Sequence, residues 1–103
     1  MNNTPNWKDE NTDLLVKSLL SLNNEDDAYR FLEDLCTISE IKAMAQRIQV
    51  AHMLTADTTY NVIAGNTGAS TATISRVKRC LNYGADGYKR VLGNLDKENN
   101  YEK

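Results

Sequence analysis

The chain is poor in residues that interrupt regular structure, with a single proline, Pro5, and five glycines among 103 residues. Leu, Ala, Lys and Glu recur throughout instead, a composition that suits long helices better than many short strands and predicts an all-α fold. Cysteine is scarce as well. Cys36 and Cys80 stand far apart and outside any CxxC spacing, and with the lone His52 they make a poor zinc set, so they read as two reduced thiols with no metal. No apolar run approaches the roughly 20 residues that span a bilayer, and no basic segment leads into an apolar signal core. A soluble, cytoplasmic chain with no membrane partner is expected. With one histidine, no nucleophile-base-orienter set and no phosphate-cradling glycine loop, it is not expected to be an enzyme, and no cofactor is called for.

What is present is a biased distribution of charge. The net charge is −2, which on its face disfavours nucleic acid. Acids outnumber bases nine to three from Met1 to Glu40, however, whereas from Thr71 to Arg90 five bases (Arg76, Lys78, Arg79, Lys89 and Arg90) face only Asp86. A phosphate responds to the local patch rather than to the total.

The apolar periodicity divides the chain into helices. Residues 1–11, with Trp7 as the only large apolar anchor, and the polar residues 96–103 are set apart as a flexible start and a polar tail that fray. A single helical domain is expected over 12–95. Thr12 is placed to cap a first helix with Leu14, Leu15, Leu19, Leu20 and Leu22 as a wide stripe, broken at Asn23 or Asn24. A second helix opens on Glu25, Asp26 and Asp27, where the helix dipole favours acids, and turns Ala28, Phe31, Leu32 and Leu35 inward. Thr37 followed by Glu40 is a capping-box signature. It opens a long hub helix expected to bury Ile41, Met44, Ala45, Ile48, Ala51, Met53 and Leu54.

So much leucine and isoleucine on residues 12–55 exceeds what a small core needs, and a second copy of the chain is expected to cover part of it, giving a homodimer. A compact monomer is the plainer alternative. A final helix from about Asp86 offers Tyr88, Val91, Leu92 and Leu95.

Between these lies the most informative stretch, from Thr59 to Asn82, which reads as a helix-turn-helix. Thr58 or Thr59 caps a short helix with Tyr60, Val62, Ile63 and Ala64. Gly68 can take the left-handed turn, and Ser70 caps a second helix pinned by Ile74, Val77 and Leu81. With those three inward, Thr71, Ala72, Thr73, Ser75, Arg76, Lys78 and Arg79 are left partly or wholly outward, with small residues at the amino end where major-groove contact occurs. Threonine methyls and Ala72 suit thymine methyls, hydroxyls suit base edges or phosphates, and the bases suit guanine or phosphate. The same pattern also fits two capped helices used for protein binding, so a helical interaction module that does not bind DNA stands as the alternative.

The segments LCTISEIKAMAQRIQVAHML and NTGASTATISRVKRCLN, within a match running from about Phe31 to Leu95, carry a resemblance. The sequence resembles the tryptophan repressor superfamily, most closely its tryptophan-repressor-related YerC/YecD group. The resemblance implies a six-helix fold in which two chains interlock as an intertwined homodimer and present two helix-turn-helix heads to a palindromic operator on double-stranded DNA. Thr71, Ala72, Thr73 and Ser75 then fall on positions that face DNA, and the implied role is a transcriptional regulator, a repressor by analogy.

In that family a tryptophan corepressor lies between two arginines, which Arg47 and Arg76 match, and Thr37 matches a residue that helps hold the ligand. Val77 stands where tryptophan-binding members have glycine, and Cys80 replaces a serine facing the ligand amino group. A β-branched side chain in a ring-sized slot costs about 1 to 3 kcal/mol of overpacking, which argues against L-tryptophan. Arg47 and Arg76 are left to bind another small effector, to pair with acids such as Glu40, or to meet phosphate.

Overall fold

The computed structural model describes residues 4–102, with side chains through residue 98. Six helices follow one another: α1 (Glu10–Ser21), α2 (Glu25–Leu35), α3 (Ile38–Thr55), α4 (Tyr60–Thr67), α5 (Thr71–Tyr83) and α6 (Gly87–Glu102). No strand occurs among the described residues, as the composition led one to expect. None of these helices is long and apolar enough to cross a membrane. The chain packs as two compact units, divided inside α3 after Ile41.

In the first unit the helix starts are set by side-chain caps. Asp9, not Thr12, caps α1: the Asp9 carboxylate accepts the Thr12 N–H at 2.8 Å, and the Thr12 hydroxyl accepts the Asp9 N–H at 2.7 Å. The helix thus begins three residues before the expected start, because a carboxylate at the positive end of the dipole outcompetes a hydroxyl one turn later. Asn24 caps α2 through the Asp27 N–H at 2.8 Å. The expected Thr37–Glu40 box is formed, with bonds of 2.8 and 3.1 Å opening α3.

The stripes on these two helices are present but uncovered. Neither α1 nor α2 buries a residue, and Leu14 (66 % exposed) and Leu20 (79 %) lie open. The inward set expected for α2 is corrected accordingly: Ala28, Phe31 and Leu32 are half-buried and Leu35 is exposed.

The second unit holds the buried core. Val50 and Ala51 of α3, Ile63 of α4, Ala69 of the turn, Ile74, Val77 and Leu81 of α5 and Leu92 of α6 form one cluster. Met53, Leu54, Tyr60, Ala64 and Tyr88 pack against it. Two expectations for α3 change here. Ala45 and Ile48 are exposed, and Val50 takes the buried position, because the face of α3 that meets α4 and α5 is the one through Val50, Ala51 and Leu54. Tyr88 and Leu92 of α6 turn inward, whereas Val91 and Leu95 remain about half exposed.

Two further boundaries shift. Asp86 adopts a left-handed conformation (φ 65°) and α6 starts at Gly87, with the Arg90 N–H donating to the Asp86 carbonyl at 3.0 Å. The helix then continues through Glu102, across most of the stretch set apart as a polar tail, since Lys97 and Glu98 are good helix formers and no glycine or proline follows Gly93. Of that tail Lys103 lies outside the described residues, as do Met1, Asn2 and Asn3 of the expected flexible start.

Candidate nucleic-acid interface

Helices α4 and α5 and the turn between them form a helix-turn-helix whose angle is fixed by local hydrogen bonds and by the core beneath. Thr59 caps α4, its hydroxyl accepting the Val62 N–H at 3.4 Å. At the other end Gly68 has φ 72° and its N–H donates to the Ala64 carbonyl at 2.9 Å. This is the left-handed helix stop that glycine adopts without strain. Ser70 then caps α5, accepting the Thr73 N–H at 3.1 Å.

Two residues that hold the turn escaped the sequence reading. Gln46 of α3 donates from Nε2 to the Thr67 carbonyl at 3.1 Å, and Thr67 Oγ1 donates to the Ile63 carbonyl at 2.7 Å while accepting the Ala69 N–H at 3.1 Å. Together they satisfy groups at the exposed end of α4 and tie it to α3. No local pattern announces the Gln46 bond, which spans 21 residues.

Burying Ile74, Val77 and Leu81 decides what α5 shows to solvent. At 100° per residue the opposite face is a stripe of Ala72, Arg76, Arg79 and Tyr83, flanked on one side by Thr71, Ser75, Lys78 and Asn82. All eight are exposed, Tyr83 at 85 %. Tyr83 continues the basic stripe and was passed over in the sequence. Thr73 is half-buried, and its Oγ1 accepts a hydrogen bond from the Ser70 hydroxyl at 3.1 Å, so its oxygen is partly committed to the cap.

Among the described residues Arg76, Lys78 and Arg79 form no ion pair; the two pairs present are Lys8–Asp13 and Arg30–Asp26. Their charges are therefore free to meet an outside anion. Lys78 differs from the other two in leaning on an aromatic ring, its Nζ standing 5.7 Å from the centroid of Tyr60 at the start of α4.

The residues read as an effector pocket are not equivalent. Arg47, Arg76 and Cys80 are exposed, and Val77 is 2 % exposed, its side chain filling space inside the core beside α5. Neither Arg47 nor Arg76 forms an ion pair among the described residues. Thr37 belongs to the first unit, where it is exposed and its hydroxyl accepts the Glu40 N–H, while the Glu40 carboxylate is held below its usual pKa chiefly by the Thr37 N–H. Cys80 lines an open apolar groove of about 440 Å³ together with Ile48, Tyr88, Val91 and Leu92. No group of three or more His, Cys, Asp or Glu side chains able to hold a metal ion is found among the described residues.

Comparison with known proteins places this arrangement in context. Residues 10–96 match the family described as Trp repressor protein. The Bacillus subtilis (strain 168) "Uncharacterized protein YerC" is 59% identical over 80 residues, which cover 78% of this chain and 77% of that protein. The crystal structure of a TrpR-like protein from Eubacterium eligens ATCC 27750 is 54% identical, with a TM-score of 0.84, covering 86% of this chain and 92% of the other. A solved structure from Staphylococcus aureus, of a chain assigned as a Trp repressor, is 44% identical with a TM-score of 0.83, covering 86% and 89%.

Proposed function

This chain belongs to the Trp repressor family, within its YerC-related group, and from that premise we propose that it is a sequence-specific DNA-binding transcriptional regulator, acting as a repressor by occupying a palindromic operator as a homodimer. The observation that carries this reading is the outward face of α5, where three unpaired bases stand beside small and hydroxyl side chains at the amino end of a rigidly seated helix. Such a helix enters the major groove with its first turns against base edges, while arginine and lysine meet phosphates or guanine. In this reading Thr71, Ala72, Thr73 and Ser75 read bases, and Arg76, Lys78 and Arg79 supply most of the affinity.

The homodimer is supported by the first unit. Leu14, Leu19, Leu20 and Leu35 are exposed in a single chain, more apolar surface than a small monomer normally shows to water. A twofold axis presents two copies of α5 to successive grooves, and operator palindromy follows from it.

Buried Val77 supports a regulator that works without L-tryptophan, since a β-branched side chain fills the position at which the tryptophan-binding relatives have glycine. The protein is then constitutively competent for DNA, and neither cofactor nor catalysis enters its action. Thermal-shift screening against amino acids and nucleotides tests this part: a compound that both raises Tm and tightens DNA binding overturns it.

The main test is selection of random double-stranded DNA by the purified protein, alongside Arg76→Ala and Thr73→Ala. A palindromic site recovered by the wild type and lost by the variants supports the regulator. If nothing is enriched, with or without cell extract, the reading falls to a protein-interaction module, which the net charge of −2 suits better.

A further inference from the structure

We propose that Tyr60 is a positioning residue for DNA binding: its ring holds the Lys78 ammonium at the flank of α5, where Lys78 meets a backbone phosphate as a preordered cation. The proposal rests on the DNA-binding reading above and deepens it.

The three bases of α5 differ in how they are held. Arg76 and Arg79 lie on the face opposite the core and have no ring partner among the described residues, whereas Lys78 lies nearer the core side and extends over Tyr60. Tyr60 is half-buried and packed against the core cluster, so its ring is fixed from below and offers one face upward. An ammonium 5.7 Å from the centroid sits within the range at which a ring quadrupole attracts a cation. The contact neutralises nothing, so unlike an ion pair it leaves the full charge and the outward N–H donors available to an anion.

The surroundings suit a phosphate oxygen. Tyr60 and Lys78 share an open groove of about 400 Å³ with Thr58, Thr59 and Asn82, a mainly polar lining with hydroxyl and amide donors. Asp57 lines the same groove without coming within ion-pair distance of Lys78, so the ammonium is not spent on it. A free lysine is a flexible point charge that loses much rotamer freedom on binding. Resting it on a ring removes part of that loss before DNA arrives.

The test is a double-mutant cycle read by fluorescence anisotropy of a labelled duplex carrying the selected site, over a range of salt. Lys78→Ala should lower the salt slope by about one counterion per protomer. Tyr60→Leu, which keeps apolar bulk against the core, should weaken binding about 2- to 5-fold per protomer with the slope unchanged, the size of an exposed cation–ring contact. Tyr60→Phe should bind as the wild type does.

In a Lys78→Ala background, Tyr60→Leu should cost nothing further. A loss that persists there, or a Tyr60→Phe variant as weak as Tyr60→Leu, overturns the proposal. NMR of the free protein tests the contact without DNA: the Lys78 ε-methylene should be shifted upfield by the ring and return on Tyr60→Leu. If that shift is present but no duplex binds, the DNA-binding reading has failed and the proposal falls with it. If a duplex binds but the shift is missing, the proposal alone fails.

Discussion

The two units of this chain use the same helix-forming vocabulary to opposite ends. Helices α1 and α2 carry leucines at helical spacing yet bury none of their residues, while every buried residue of the core belongs to the second unit. Their charges differ as sharply, nine acids against three bases over residues 1–40 and five bases against one acid over residues 71–90. Amphipathicity therefore signals a surface that wants covering, and only packing decides whether the same chain covers it. The second unit closes a core of its own, although Ile48, Val91 and Leu95 stay about half exposed. The first unit closes none, and its bare leucines are the surface that the proposed homodimer would cover.

Their caps differ too. In the first unit a carboxylate takes part at the start of α1 and of α3, Asp9 as the cap of α1 and Glu40 accepting the N–H of the capping Thr37, whereas α4 and α5 open on the hydroxyls of Thr59 and Ser70 alone. The carboxylates titrate and the hydroxyls do not.

The largest expected effect strikes the core of the second unit. Ile74→Ala removes a fully buried side chain and should cost about 2 to 5 kcal/mol in urea unfolding. A loss below about 1 kcal/mol would mean that this core is not the seat of stability. The comparison sharpens with Leu14→Ala and Leu20→Ala in the first unit. If these side chains stay in water the cost should be within about 0.5 kcal/mol. If a second copy covers them, as proposed, the cost should rise toward core values and Tm should depend on protein concentration.

Gly68→Ala comes next. No atom lies within 4 Å of an added Cβ, so the whole penalty is conformational, about 1 to 2 kcal/mol for a side chain held at φ 72°. A thermal melt unchanged by the substitution would show that the turn rearranges. Ser70→Ala removes a cap and should cost about 1 kcal/mol, with faster amide exchange at Thr73.

The smallest effect is one of pH. The Thr12 N–H depresses the Asp9 pKa and the Thr37 N–H that of Glu40, so each carboxylate helps the fold only while ionised. A depressed folded-state pKa means that this stabilisation is complete above the ordinary carboxylate range and is lost as pH falls through the lowered values. Acidification below about pH 4 should therefore speed amide exchange at Thr12 and Thr37, whose N–H groups the two carboxylates accept, before it does so at Thr73, whose cap is a hydroxyl. Equal acid sensitivity at all three would erase the distinction between the units.

What could be read from the sequence was whatever a few consecutive residues decide among themselves. The Thr37–Glu40 box, the left-handed Gly68, the Ser70 cap and the inward triplet of Ile74, Val77 and Leu81 involve partners within about one to two helical turns, and the segment carrying them also carried the family resemblance. Asp9 was legible in principle as the other half of an Asp9–Thr12 box and was missed because threonine was taken for the cap itself. Tertiary structure alone decided the choice of Val50 over Ile48, the bond from Gln46 to Thr67 and the placing of Lys78 over Tyr60. It also left the leucines of α1 bare. Helix periodicity is a property of one helix, set by 100° per residue, whereas burial and long-range hydrogen bonds are properties of the neighbour that a helix meets, which no local pattern encodes.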